Sequence, residues 1–218
     1  SLNLTTQPTA MNIGLIGAGH IGATAARLFL EAGHTVAISN SRGPETLQDL
    51  VGELGDGAHA LPVDEAAAFG DVALEAIPYG RVTSLPAGAL AGRILISASN
   101  YYPQRDGTMD LEGMTQTERV AASLPATRVV KAFNTIYWEH LRDQGDPSLP
   151  LEERRVIPLA GDDAEAKSVI AELIEQIGFA PLDLGSLCAG GRHMEPGQPI
   201  YNQTLTRSEA QALLKQTT

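Results

Sequence analysis

The chain has 218 residues, of which 43% are hydrophobic and 19% charged, the make-up of an ordinary globular protein long enough to bury a substantial core. A formal charge of −11 excludes nucleic acid and anionic membrane surfaces as main partners, because both demand a basic face. Cys188 is the single cysteine; it cannot close an intramolecular disulfide and no metal-ligand spacing surrounds it, so a reducing, cytoplasmic setting without a metal site is expected.

Residues 1–10 are polar, lack the apolar centre of a secretory signal and read as a flexible segment, with Met11 a candidate start. No uninterrupted apolar run approaches transmembrane length, so no membrane partner is expected. Residues 11–40 then carry the densest pattern in the chain. The apolar stretch Ile13-Gly14-Leu15-Ile16 runs into Gly17-Ala18-Gly19-His20-Ile21-Gly22, an amphipathic segment follows to residue 32, and Thr35-Val36-Ala37-Ile38 forms a second strand. Strand, G-x-G-x-x-G turn, helix and strand make one βαβ unit, the arrangement that binds a dinucleotide. Gly17 supplies the dihedrals of a tight turn, Gly19 leaves room for a pyrophosphate, and Gly22 permits close packing of helix on strand. The N–H groups from His20 onward face the phosphates at a helix N-terminus.

The end of the second strand selects the dinucleotide. An NAD site places Asp or Glu about 20 residues beyond the glycines, whereas this chain has Asn40, Ser41 and Arg42, with no carboxylate before Glu45. A guanidinium grips a 2′-phosphate that a carboxylate would repel, so NADP is the expected cofactor, with Asn40 and Ser41 adding hydrogen bonds.

Further on, residues 44–54 read as a helix opened by Pro44, 58–61 as a short strand, 63–69 as a short helix and 71–78 as a strand ending in Ile77-Pro78-Tyr79. A broken helical stretch at 81–90 precedes a strand at 93–97, the polar loop Ser99-Asn100-Tyr101-Tyr102-Pro103, a helix at 115–123 and a strand at 128–133. This alternation predicts an α/β fold, a Rossmann doubly wound, mostly parallel sheet. Ligands of such sheets lie beyond the carboxyl ends of the strands, so residues 17–22, 40–42, 77–79, 99–100 and 133–134 are expected to rim one cleft. Tyr79 is the preferred stacking aromatic there; Tyr137 and Trp138 are read as core or interface anchors. Lys131 is expected to face solvent, and Cys188 to be a small packed residue.

Residues 135–218 read as a small C-terminal extension: a short helix at 135–141, a loop at 144–153, a strand at 155–159, a helix at 162–177 capped by Asp162, an edge strand at 179–184 carrying Pro181, an irregular arm at 185–202 and a last helix. The arm is expected to swap across a twofold and make a homodimer. The domain reading is thus 1–10, 11–134 and 135–218.

With these residues in view, the chain resembles the NADPH-dependent reductases of the deazaflavin coenzyme F420, and the related cytoplasmic oxidoreductase domain of six-transmembrane metalloreductases. The match is carried by residues 13–22, 39–43, 76–79, 129–136, 160–163 and 182–187, in that order along nearly the whole chain. The resemblance implies hydride transfer between NADP(H) and a small-molecule redox acceptor with a flavin-like ring. It implies that Gly19, His20 and Ile21 touch the diphosphate, and that Asn40, Ser41 and Arg42 hold the 2′-phosphate. It further implies that Ile77 and Pro78 shape the ribose wall, and that Asn100 and Ala132, Phe133 and Asn134 lie near the nicotinamide. Asn134 stands where deazaflavin reductases often carry His, which leaves F420, FMN, FAD and a ferric chelate reached through free flavin open as acceptors. A carbonyl or imine reductase would need a proton donor near Asn134, and the sequence names none. A non-catalytic NADP sensor on the same fold is the rival from another class.

Overall fold

The computed structural model describes residues 9–217; over residues 1–8 the expected flexible segment lies outside the described residues. In chain order the elements are β1 (Asn12–Ile16), α1 (His20–Glu31), β2 (Thr35–Ser39), α2 (Gln48–Leu54), β3 (Ala58–Ala60) and α3 (Val63–Ala67). Next come β4 (Val72–Glu75), α4 (Ala87–Leu90), β5 (Ile94–Ser97), α5 (Pro103–Asp106), α6 (Gln116–Ala122), β6 (Arg128–Ala132) and α7 (Trp138–Asp143). The chain closes with β7 (Val156–Gly161), α8 (Ala164–Gln176), β8 (Ala180–Asp183) and α9 (Arg207–Lys215). The predicted helix at 44–54 is a 3₁₀ turn, Pro44–Leu47, running into α2, and a second 3₁₀ turn, Tyr79–Ser84, follows β4.

The eight strands form one sheet in the order β3-β2-β1-β4-β5-β6-β7-β8. The order reverses between β1 and β4, and β1, β2, β3, β4, β5 and β6 are parallel, which is the doubly wound Rossmann arrangement. Helices cover both faces, so β4 and β5 are buried along their whole length. That is why these strands read as nearly continuous apolar runs in the sequence. One face packs Phe29 of α1, Phe133, and Ile170 and Leu173 of α8 into a common core. The other gathers Tyr79, Leu90, Leu95 and Val120. Because the first of these cores takes residues from both sides of Asn134, the extension is continuous with the nucleotide-binding sheet.

β7 joins β6 antiparallel, Lys131 opposite Ala160, and β8 is the parallel edge strand, as Pro181 requires. The cap of α8 is Asp163, whose Oδ1 accepts from Ala166 N at 2.8 Å, one residue later than expected. Asp162 is occupied elsewhere: its Oδ1 accepts from Leu187 N at 3.0 Å and ties down the start of the arm.

In the single chain the arm packs against the sheet, burying Met194 and Ile200 completely or nearly so. Gln116 N donates to Glu195 Oε1 at 2.9 Å and Asn202 N to Thr135 O at 2.7 Å. Cys188, expected to be packed, is exposed on this arm.

Candidate active site

The turn from β1 into α1 is built as the glycines dictate. Gly17 has a φ of +105° and a Cβ there would lie 2.6 Å from Ala76 O, while a Cβ on Gly22 would lie 2.0 Å from Gly17 O. Gly22 therefore serves the close packing of the helix against the turn itself. A Cβ on Gly19 would meet nothing within 4 Å, so the space over it is open. α1 begins with no side-chain cap and no acidic residue in its first turn, leaving the N-terminal N–H groups for an anion.

On one side of this turn lies a cavity of about 430 Å³ lined by Gly17, Ala18, Gly19, Asn40, Ser41, Ile77 and Pro78, together with Val63, Arg81 and Leu85. Asn40 shapes the loop instead of reaching outward: its Oδ1 accepts from the N–H groups of Arg42 and Gly43 at 3.0 and 2.9 Å, and its Nδ2 donates to Thr46 at 2.9 Å. Arg42 is exposed at the tip of that loop, its guanidinium without a partner among the described residues. Arg81 escaped the sequence reading, because nothing in a broken helical stretch marks which of its residues faces a ligand.

On the other side lies a second cavity of about 180 Å³, lined by Ile21, Ala98, Asn100, Tyr102, Phe133, Asn134, Tyr137, Trp138 and Tyr201 among others. The residues expected to rim a single cleft are thus divided among separate cavities, with Ile21 in this second one and His20 in another, of about 620 Å³, that it shares with Trp138. Phe133 has a φ of +65°, and its ring is buried edge-on against Phe29 at 6.3 Å. Ending β6 in this left-handed conformation turns the next residue, Asn134, off the strand line; such strain in a non-glycine residue clusters at working sites. Asn134 Nδ2 donates to Asn100 Oδ1 at 3.0 Å and to Met194 O at 2.8 Å, and Asn100 Nδ2 donates back to Asn134 O at 2.8 Å. Asn134 Oδ1 is buried without a partner. Tyr102 and Tyr201 share a hydroxyl–hydroxyl bond at 2.5 Å.

Five expected members line neither cavity: His20, Gly22, Arg42, Tyr79 and Ala132. Ala132 is fully buried in β6 opposite Leu159. Tyr79 is fully buried, and its hydroxyl donates to Gln116 O at 2.6 Å, with burial pushing its pKa up to about 12. The 3₁₀ turn beginning at Tyr79 swings its ring beneath the sheet, so it cannot stack on a ligand. His20 also has a role the sequence did not reveal: it stacks on Trp138, ring centroids 4.3 Å apart and planes 9° from parallel. That contact fixes α7 against the start of α1.

Behind the second cavity runs a buried polar row. Glu75, Ser97 and Lys131 are register partners at the carboxyl ends of β4, β5 and β6. Glu75 Oε1 accepts from Ser97 Oγ at 2.7 Å, Ser99 Oγ at 2.8 Å and Ser99 N at 3.3 Å, while Oε2 has no partner. Burial raises the carboxyl to about 7 against the lowering effect of those hydrogen bonds. Lys131, expected in solvent, is fully buried; its Nζ donates to Thr117 at 2.8 Å, and burial draws it down to about 8, with Glu195 and Glu75 pulling the other way. The sequence signal was available: an ionisable residue inside a strand covered on both faces has no solvent to face. Because Ser99 adjoins Asn100, this row braces the loop that lines the second cavity.

Comparison with known proteins bears on this geometry. Residues 12–101 match the family described as NADP oxidoreductase, coenzyme F420-dependent. The chain belongs to this family. The rat (Rattus norvegicus) metalloreductase STEAP3 is 32% identical over 189 residues, 85% of this chain but 36% of its own length, so the chain spans about a third of that relative. A hypothetical protein, SMa0349, from Sinorhizobium meliloti has a solved structure 33% identical, with a TM-score of 0.80, covering 94% of this chain and 100% of its own. A protein from Arthrobacter sp. FB24 assigned as an F420-dependent NADP reductase is 24% identical with a TM-score of 0.68 over 82% of this chain and 86% of its own, and shares the fold.

NADP(H), the cofactor of this oxidoreductase family, fits the residues present. The open space over Gly19 and the uncapped start of α1 suit a diphosphate, the loop of Asn40, Ser41 and Arg42 suits a 2′-phosphate, and the unpartnered Asn134 Oδ1 suits an amide donor. No cluster of residues able to hold a metal ion is found among the described residues. No helix among them is long and apolar enough to cross a membrane.

Proposed function

We propose that this member of the F420-dependent NADP oxidoreductase family transfers a hydride between NADP(H) and a flavin or deazaflavin ring. The observation that carries the reading is the second cavity, which adjoins the glycine turn through Ile21 and is walled by Tyr102, Trp138, Tyr201 and the half-exposed Tyr137. An NADP sensor needs no such space, whereas a reductase needs a place for the acceptor beside the nicotinamide. NADPH, when bound, supplies the hydride. The chain's own part is to bind, align and exclude water, which is what hydride transfer between two rings requires. Gly19 and the start of α1 hold the diphosphate, Arg42 and Ser41 the 2′-phosphate, and Asn100 and Asn134, latched to each other and to Met194, fix the far wall. A ferric chelate reduced by way of the flavin is the second reading, favoured by the metalloreductase relative.

Stopped-flow oxidation of bound NADPH, with F420, FMN, FAD and ferric chelate offered in turn, tests the reading. Rapid oxidation by a flavin or by F420, with NADH much poorer, is the expected result. Tight NADPH binding with no oxidation by any of the four would overturn it in favour of the sensor.

A further inference from the structure

The second cavity holds a feature that hydride alignment does not use. Tyr102 and Tyr201, 99 residues apart in the chain, bring their hydroxyls to 2.5 Å on its wall. Asn100 Nδ2 donates to Tyr201 Oη at 3.4 Å, a weak contact that orients the pair. Two hydroxyls carry two protons, and their mutual bond uses one. No other acceptor for either hydroxyl occurs among the described residues, so one O–H remains to be donated to a ligand. Burial pushes Tyr201 well above the usual phenol range, so the donor is protonated at neutral pH.

We propose that Tyr201, paired with Tyr102, is the proton donor to the acceptor, acting at the acceptor atom where the electron pair of the hydride accumulates. This rests on the hydride-transfer reading above. The balance is simple. The acceptor gains two electrons and one hydrogen nucleus from NADPH, its conjugated carbonyl or imine end becomes anionic, and Tyr201 Oη donates first a hydrogen bond and then a proton to it. The Tyr201 phenolate takes the proton of Tyr102 across their shared bond, and Tyr102, which is half-buried, recovers one from water. NADPH, acceptor and one proton thus become NADP⁺ and the doubly reduced acceptor. A half-buried phenol with a second hydroxyl against it is suited to this, since Tyr102 can donate to the transient Tyr201 anion.

Tyr201→Phe and Tyr102→Phe keep the rings and so keep the packing. In single-turnover oxidation of bound NADPH by FMN or F420, Tyr201→Phe should lose about 100-fold in rate, and Tyr102→Phe less. The solvent deuterium effect on that step should disappear in Tyr201→Phe. N-methylacridinium accepts a hydride and needs no proton, so both variants should lose far less on it than on FMN. Independently of turnover, FMN binding to the NADP⁺-loaded protein, read by flavin fluorescence, should weaken about fivefold in Tyr201→Phe, with NADPH affinity unchanged. Equal losses on FMN and N-methylacridinium would reduce the pair to a structural contact and overturn the proposal, as would wild-type rates on FMN and F420. A wild type that oxidises NADPH with no acceptor at all would instead overturn the hydride-transfer reading itself.

Discussion

The two ends of the site are built in opposite ways. The phosphate end is made of contiguous backbone: β1, one turn and the start of α1, with glycines where a side chain would collide and a helix terminus left uncapped. The acceptor end is made of side chains that meet only because the fold assembles them: Asn100 after β5, Asn134 after β6, Trp138 on α7 and Tyr201 on the returning arm. The first end depends mainly on backbone space at Gly17 and Gly22, with Arg42 supplying a side-chain charge at its rim. The second is the reverse, for it depends on a hydrogen-bonded set braced from beneath by Glu75 and Ser99.

The sharpest way to break this comparison is at the glycines. Gly22→Ala forces a Cβ to 2.0 Å from Gly17 O, so it should cost about 3 kcal/mol or more in chemical denaturation and abolish NADPH binding. Gly19→Ala meets no protein atom within 4 Å; its Tm should stay at the wild-type value while NADPH affinity falls about tenfold. A comparable fall in Tm for both variants would show that Gly19 also serves the fold.

At the acceptor end the corresponding test is a titration. The Glu75 carboxyl, raised from 4.5 to about 7, is protonated in the folded chain where the unfolded chain has already lost the proton. Its contribution is therefore full below pH 4.5 and is lost as pH rises through 7, amounting to about 3 kcal/mol across that window. Denaturant unfolding at pH 5 and pH 8 should show Glu75→Gln losing less stability over this interval than the wild type by about that amount. Parallel pH dependence in the two proteins would mean that Glu75 is ionised throughout.

The expected effect at Arg42 is the most specific. Arg42→Ala should weaken NADPH about 30-fold, the loss of one charge-assisted contact of about 2 kcal/mol, and leave NADH affinity unchanged. Isothermal titration with both dinucleotides decides it, and an equal loss for both would remove Arg42 from the 2′-phosphate contact.

How much of this was legible beforehand follows the same division. The glycine turn and the loop at Asn40 were readable, because a short segment carries its own reason in residue type and spacing. Asn100 and Asn134 line one cavity together, as the rule that strand ends rim a cleft expects. That rule fixes a residue's position and not its rotamer, so Tyr79, at a strand end like the others, was assigned to the cleft and lies beneath the sheet instead. Lys131 was assigned to solvent because strand alternation assumes one wet face, and helices cover both faces here. The arm carried no periodicity at all, and with it the sequence concealed Tyr201 and the closing contact from Met194.

By itself, then, the sequence determined the doubly wound sheet, the dinucleotide turn and the absence of a ribose-binding carboxylate, all of them properties of neighbouring residues under local steric and hydrogen-bonding rules. The tertiary structure alone decided that Met194 and Ile200 of the arm are buried, that Glu75 and Lys131 are buried on either side of β5, and that Tyr102 and Tyr201 share a hydrogen bond. These contacts join residues far apart in the chain, and their energies come from desolvation and pairing that exist only after the core has closed.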